Sequence, residues 1–194
     1  MTDKSKPGSN KQAWVAAGFQ LLSVGGIDSV RIDRISKKIG LTRGSFYWHF
    51  KNRAELLDEM LKVWHQLGTL QVIRLVEAEK TNPHKKLSTL LELTTRRPGE
   101  KYGGKFTELS IRVWGGQSEQ AAKIIKQIDN ERVAYVHKLL IEMQLEPALA
   151  SLLAEVIYNA FIGMMSRDLT EKQVSVIANL ATNFLEDQIS QVKS

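Results

Sequence analysis

Only three residues, Gly40-Leu41-Thr42, separate two short helical patterns, and this spacing constrains the fold more than any other feature of the chain. Before the link, Ile32, Ile35 and Ile39 fall three and four apart, marking one face of a helix from about Val30 to Ile39. After it, Thr42 is a natural N-cap for a third, short helix ending near Phe50. Gly40 suits the left-handed conformation in which many helices end. A link of this length is the turn expected between two crossing helices, a helix-turn-helix.

The same punctuation continues along the chain. Asn10 caps a first helix to about Val24, which Gly25-Gly26 stops. Asn52 followed by Glu55 makes a capping-box start for a long helix over about 53–80, with Leu56, Leu57, Met60, Trp64, Leu67 and Leu70 on its apolar side. Asn82-Pro83 breaks that helix, and another follows near 84–95. Arg97-Pro98-Gly99 and Gly103-Gly104 frame an irregular segment. Helical patterns resume at about 105–114, at 119–143 behind Ser118, and from Glu146-Pro147 to about Met165. A last helix, capped by Thr170-x-x-Gln173, runs to about Val192. Almost no stretch alternates with period two, so the chain reads as all-α with about nine helices.

Charge is distributed unevenly over this frame. Residues 1–53 carry ten Lys and Arg against three acids, whereas the remaining 141 residues carry 17 against 18. The whole net charge of +6 therefore comes from the first quarter, the footprint of a polyanion-binding module joined to a neutral domain. The chain has no cysteine, which excludes disulfides and thiolate metal sites and fits a reducing, cytoplasmic setting. The uncharged run Gln12 to Ile27, behind Lys4, Lys6 and Lys11, imitates a signal peptide. At 16 residues it is short of the roughly 20 that span a bilayer, and Gln12, Gln20 and Ser23 interrupt it, so a core helix is expected and no membrane partner.

The stretch LTRGSFYWHFKN, Leu41 to Asn52, carries the chemistry. Phe46 and Phe50 share a helix face that points inward with Ile35 and Ile39, leaving Arg43, Gly44, Tyr47, Trp48 and His49 outward or at the edges. Exposed aromatics beside cations call for a partner. Tyr hydroxyl and His imidazole donate to phosphate, and Gly44 lets a backbone approach closely. Trp48 has two readings, contact with a base or cover over the junction with the next helix. A zinc site on His49 lacks a second histidine three or four residues away, and Ser45 lacks the G-x-S-x-G elbow of a nucleophile. No metal, cofactor or enzymatic centre is expected.

Taken together, IDRISKKIGLTRGSFYWHFKNRAELL strongly resembles the DNA-binding signature of the tetracycline-repressor (TetR) family, over about Asn10 to Leu57. The resemblance implies that Thr42, Arg43, Gly44, Ser45 and Trp48 face base edges in the major groove. It implies that Tyr47, His49 and Lys51 or Arg53 grip phosphates. Two positions depart from the pattern. Arg31 stands where a Thr or Ser usually caps the second helix, and is read as a phosphate contact, while Ile32 stands where some members place Arg on a base.

The resemblance divides the chain into a flexible arm (1–9), a helix-turn-helix domain (10–53) and a regulatory domain (54–194) for effector binding and dimerisation. The implied function is a DNA-binding regulator, a homodimeric repressor of a palindromic double-stranded operator, released when a small molecule shifts the long fourth helix. A constitutive architectural or adaptor protein without an effector is the alternative. For the dimer interface, Val174, Ile177, Ala178, Ala181, Phe184 and Leu185 form one stripe, and Ala160 and Gly163 allow close helix approach; the same stripes could instead face their own core. For the effector, the candidates are Trp64, Tyr102, Phe106, Trp114, Tyr158, Phe161 and Met164, although aromatic stripes commonly belong to the core.

Overall fold

The computed structural model describes residues 11–95, 100–167, 169–170, 172–173, 175–177, 179–180 and 183–184. The expected arm (1–9), Arg97-Pro98-Gly99, and Val174, Ala178, Ala181 and Leu185 lie outside the described residues. Those described are all-helical, with nine α-helices and no strand: α1 Lys11–Gly25, α2 Ile32–Ile39, α3 Arg43–Phe46, α4 Arg53–His65, α5 Gln71–Ala78, α6 Pro83–Thr95, α7 Thr107–Gly115, α8 Glu119–Glu142 and α9 Pro147–Ser166. The described positions between 172 and 184 are helical as well.

Two compact units emerge, Met1–Trp64 with Arg97–Ile124, and His65–Arg96 with Ile125–Ser194. In the first, α1 is buried along most of its length through Trp14, Val15, Ala17, Phe19 and Leu22. The segment before α7 clamps it. Phe19 meets Tyr102 edge-on at 5.9 Å, Gln20 donates to the Lys101 carbonyl, and Thr107 Oγ1 donates to Tyr102 O at 2.6 Å. Gly103 makes this possible: its φ is +87°, and a Cβ there would lie 2.8 Å from Phe19 O. Only glycine fits so close an approach in that conformation.

The second unit buries Val76, Leu87, Leu139, Leu140, Ala150 and Ala154 in one core. Glu77 joins three of its helices, accepting from Lys86 at 2.5 Å and Lys138 at 2.8 Å. α9 begins as expected, with Glu146 accepting from Leu149 N and Pro147 at the first helical position.

Three boundaries differ from expectation. α3 ends at Phe46, followed by a turn rather than helix to Phe50, and Ile27–Ser29 forms a short 3-10 turn. The long helix over 53–80 is interrupted by a π turn, Gln66–Leu70, before α5. The extra residue in the turn shifts the inward face: Thr69 is buried and Leu67 turns outward, so the Leu56-to-Leu70 stripe is not continuous.

Candidate functional site

The helix-turn-helix is fixed by its own short sequence. Gly40 closes α2 at φ +68°, and the Leu41 amide reaches back to Ser36 O at 3.0 Å. Thr42 caps α3 through Ser45 N, while Ser45 Oγ donates to Thr42 O at 2.7 Å. The single turn of α3 is anchored by a ring cluster: buried Phe46 stands edge-on to Trp14 at 5.2 Å and stacks on Phe50 at 5.3 Å. Lys11 Nζ lies over Phe50 and pairs with Glu59 at 2.8 Å. Such aromatic contacts hold a helix too short to persist alone.

What this anchoring leaves outside is the candidate surface. Arg43 and Gly44 are exposed, Tyr47 is 56% exposed and Trp48 87%, while Ser45 and His49 are half-buried at the edge. An indole this exposed carries a large apolar surface in water, which favours contact with a partner over the second reading of Trp48, cover over a junction. Arg34, Lys37 and Lys38 on α2 are exposed beside this module; they entered the sequence reading only as charge.

Arg31 sits at the N-cap of α2 in extended conformation without a side-chain cap, and its guanidinium is exposed, 3.5 Å from Asp33. Arg53 is committed elsewhere than expected. Its Nε donates to Val30 O at 2.6 Å and a terminal nitrogen to Ile27 O at 2.7 Å, so it ties the start of α4 to the turn before α2. Lys51 is exposed; Glu55 N donates to Asn52 Oδ1 as in a capping box, while the Glu55 carboxylate accepts from the Lys51 amide, one residue before the N-cap.

The second unit holds a cavity of about 60 Å³. Val72, Ile73, Leu90, Leu91, Val136 and Ile157 supply apolar wall, Tyr135, Tyr158 and Phe161 the aromatic part, and Gly68, Thr69 and Arg132 the polar end. Of the expected effector residues it brings together Tyr158 and Phe161, whose rings lie 6.1 Å apart. Trp64, Tyr102, Phe106 and Trp114 belong to the first unit and line none of it; Trp64 is buried and donates to Glu108 at 2.9 Å. Met164 is half-buried outside the lining. Arg132 and the π turn carried no sequence signal of this role. Arg132 Nε donates to Thr69 Oγ1 at 2.8 Å, and Tyr158 donates to Asp129 at 2.5 Å. Both tyrosine hydroxyls thus point to carboxylates, Tyr135 to Glu77 at 3.2 Å, and burial with the Glu77 charge pushes the Tyr135 hydroxyl far up from its ordinary range.

On α9, Leu149, Leu152 and Val156 are exposed, the last two at 67% and 62%, and the expected Ala160 and Gly163 continue the same face. Ile177 and Phe184 are exposed together with Val176 and Leu180. By length and mean hydropathy of 1.6, α9 is apolar enough to cross a membrane, but Glu155 and Asn159 interrupt it on the outside.

Residues 15–60 match the bacterial regulatory proteins of the tetR family. Over 91 residues the chain is 30% identical to the HTH-type transcriptional regulator AcrR of Shigella flexneri, covering 46% of this chain. The chain spans about two fifths (40%) of the length of that curated relative. Among solved structures it is similar to a transcriptional regulator from Rhodococcus (TM-score 0.74, 12% identity, 90% of this chain and 95% of the other). It is also similar to a regulator from Saccharomonospora viridis in complex with choline (TM-score 0.72, 16% identity, 91% and 95%). The chain thus carries, over residues 15–60, the DNA-binding domain of the tetR family of bacterial regulatory proteins, on a fold shared over nine tenths of its length with solved transcriptional regulators.

Proposed function

We propose that the protein is a cytoplasmic transcriptional repressor that binds a palindromic duplex operator as a homodimer and leaves it when a small molecule occupies the second unit. The observation that carries the DNA half is the exposed Arg43, Gly44, Tyr47 and Trp48 surface inside the segment that holds the chain's whole positive excess. Arg43 at the start of α3 suits a guanine edge, and Tyr47 a phosphate oxygen. Two-fold operators are read by two-fold dimers, and the exposed stripe on α9 supplies a self-complementary apolar face of the kind such dimers bury. The Saccharomonospora relative holds choline, which supports a ligand for the fold, and the cavity beside Arg132 is the place for one here. The π turn lines that cavity and follows α4 directly in the chain, so an occupant that reshapes it acts at the root of the helix leading out of the DNA-binding module.

Titration of duplex DNA at rising salt tests the reading. Affinity should fall steeply, with a slope close to the number of phosphates neutralised. Salt-independent binding, or binding that survives Arg43→Ala with Lys37→Ala and Lys38→Ala, sinks it. The adaptor alternative predicts DNA affinity that no small molecule changes.

A further inference from the structure

We propose that Arg53 is a positioning residue for base recognition: from the start of α4 it sets the orientation of α2, and of α3 after it, instead of gripping a phosphate. The consequence for DNA rests on the reading above, whereas the clamp is internal to the chain. Arg53 is the first residue of α4, and its side chain crosses to the turn that leads into α2. Nε donates to Val30 O at 2.6 Å and a terminal nitrogen to Ile27 O at 2.7 Å, both short for N–H···O bonds. A guanidinium is a rigid planar fork, so two bonds from one group fix direction as well as distance. The charge of the donor makes each bond stronger than a neutral pair.

The rest of α2 shows why such a clamp matters. Of its eight residues only Ile35 and Ser36 are buried, with Ile32 and Ile39 half-buried, and Ser36 spends its hydroxyl on Asp33 O of the same helix. Arg31, at the N-cap, makes no side-chain cap bond, so the helix start lacks that anchor. The turn before it is tied on both sides instead. Buried Ser29 holds it to the end of α1, its hydroxyl 2.6 Å from Leu21 O, and Arg53 holds it to α4. Val30, between the two ties, is fully buried. α3 follows α2 closely, because the Leu41 amide bonds to Ser36 O and only Gly40, Leu41 and Thr42 intervene. A turn that slips on α4 therefore carries Arg43, Gly44 and Tyr47 with it. Base edges demand placement to about half an ångström, while phosphate contacts tolerate sliding along the duplex. Loss of the clamp should thus harm reading more than gripping.

The test uses the full chain, a duplex that it selects from a random pool, and an unselected duplex of equal length. Arg53→Lys keeps the charge and loses the fork; Arg53→Gln loses both. Both variants should bind the selected duplex roughly tenfold more weakly, while affinity for the unselected duplex and its salt slope stay at the wild-type values. A phosphate contact predicts another pattern: Arg53→Lys near wild type, and Arg53→Gln weaker on both duplexes alike, with a slope smaller by about one. A merely structural role lowers both affinities together and leaves their ratio unmoved. Amide hydrogen exchange without DNA reports on the joint directly. In Arg53→Lys, the amides of Val30 and Ile35, bonded to Ile27 O and Arg31 O, should exchange several-fold faster while those of α1 keep their rates. If Arg53→Gln melts early, the Lys variant carries both arms. Unaltered exchange at Val30 and Ile35, equal acceleration through α1, an unmoved ratio or the phosphate pattern each overturns the proposal. A chain that selects no duplex refutes the DNA reading alone, and the exchange rates still decide the clamp.

Discussion

At Gly44 an added Cβ would meet only Thr42 Oγ1, 3.7 Å away, which is ordinary van der Waals contact. The fold therefore has no need of a glycine on α3, whereas the proposed close approach of a DNA backbone would. Gly44→Ala should raise stability by about 0.5–1 kcal/mol, the usual gain of alanine over glycine in a helix, and still weaken DNA binding. Melting and DNA titration of one variant read both effects; unchanged affinity would remove Gly44 from the interface. Its neighbours separate gripping from reading. Tyr47→Phe should weaken all sequences alike by roughly 0.5–1.5 kcal/mol, whereas Arg43→Ala should relax preference at one base pair by roughly 1–3 kcal/mol, measured on single-base variants. Local roles such as the Thr42 cap and the Asn52/Glu55 box were legible in the sequence because both partners lie within four residues. The role of Arg53 was not, since the carbonyls it holds lie 23 and 26 residues back and no short pattern encodes them.

Among the elements, the helices were read correctly where capping residues mark their ends, and the π turn was missed. Leu56, Met60, Trp64 and Leu67 keep helical spacing through it, so a periodicity of 3.6 continues unbroken in the sequence while the backbone takes one residue more. Buried Thr69 accepts a hydrogen bond from Arg132, 63 residues away, a pairing that no local pattern reveals. The α5–α6–α8 junction gives a test by pH. The Lys138 ammonium, and after it Lys86, holds the Glu77 carboxyl down to about 2 from an ordinary 4.5. A carboxyl lowered on folding stabilises above its unfolded value, and that contribution fades as pH falls from about 4.5 towards 2. Glu77 is partly open to water, so screening keeps the gain small. Glu77→Gln should cost at most about 1 kcal/mol at neutral pH and nothing near pH 2 in denaturant melts; a deficit that persists unchanged in acid would assign the loss to packing.

For the whole molecule, the proposed dimer would bury the exposed face of α9. The sequence pointed to Ala160 and Gly163 there, but not to Leu149, Leu152 and Val156, because a helix this apolar reads equally as core until burial shows which side the protein covers. Val156→Glu places a charge on that face, costing several kcal/mol once a second copy covers it. Sedimentation should then show monomers, with weakened binding to a two-fold operator; a dimer that persists puts the interface elsewhere. The exposed indole of Trp48, in the turn after α3, has an optical consequence. Trp14, Trp64 and Trp114 are buried, so a collisional quencher such as acrylamide reaches chiefly Trp48. Duplex DNA that covers this ring should restore the quenched emission in proportion to occupancy, and Trp48→Phe should silence the response while the other three tryptophans keep their signal. The protein would thereby carry a built-in fluorescent gauge at the surface proposed to meet DNA.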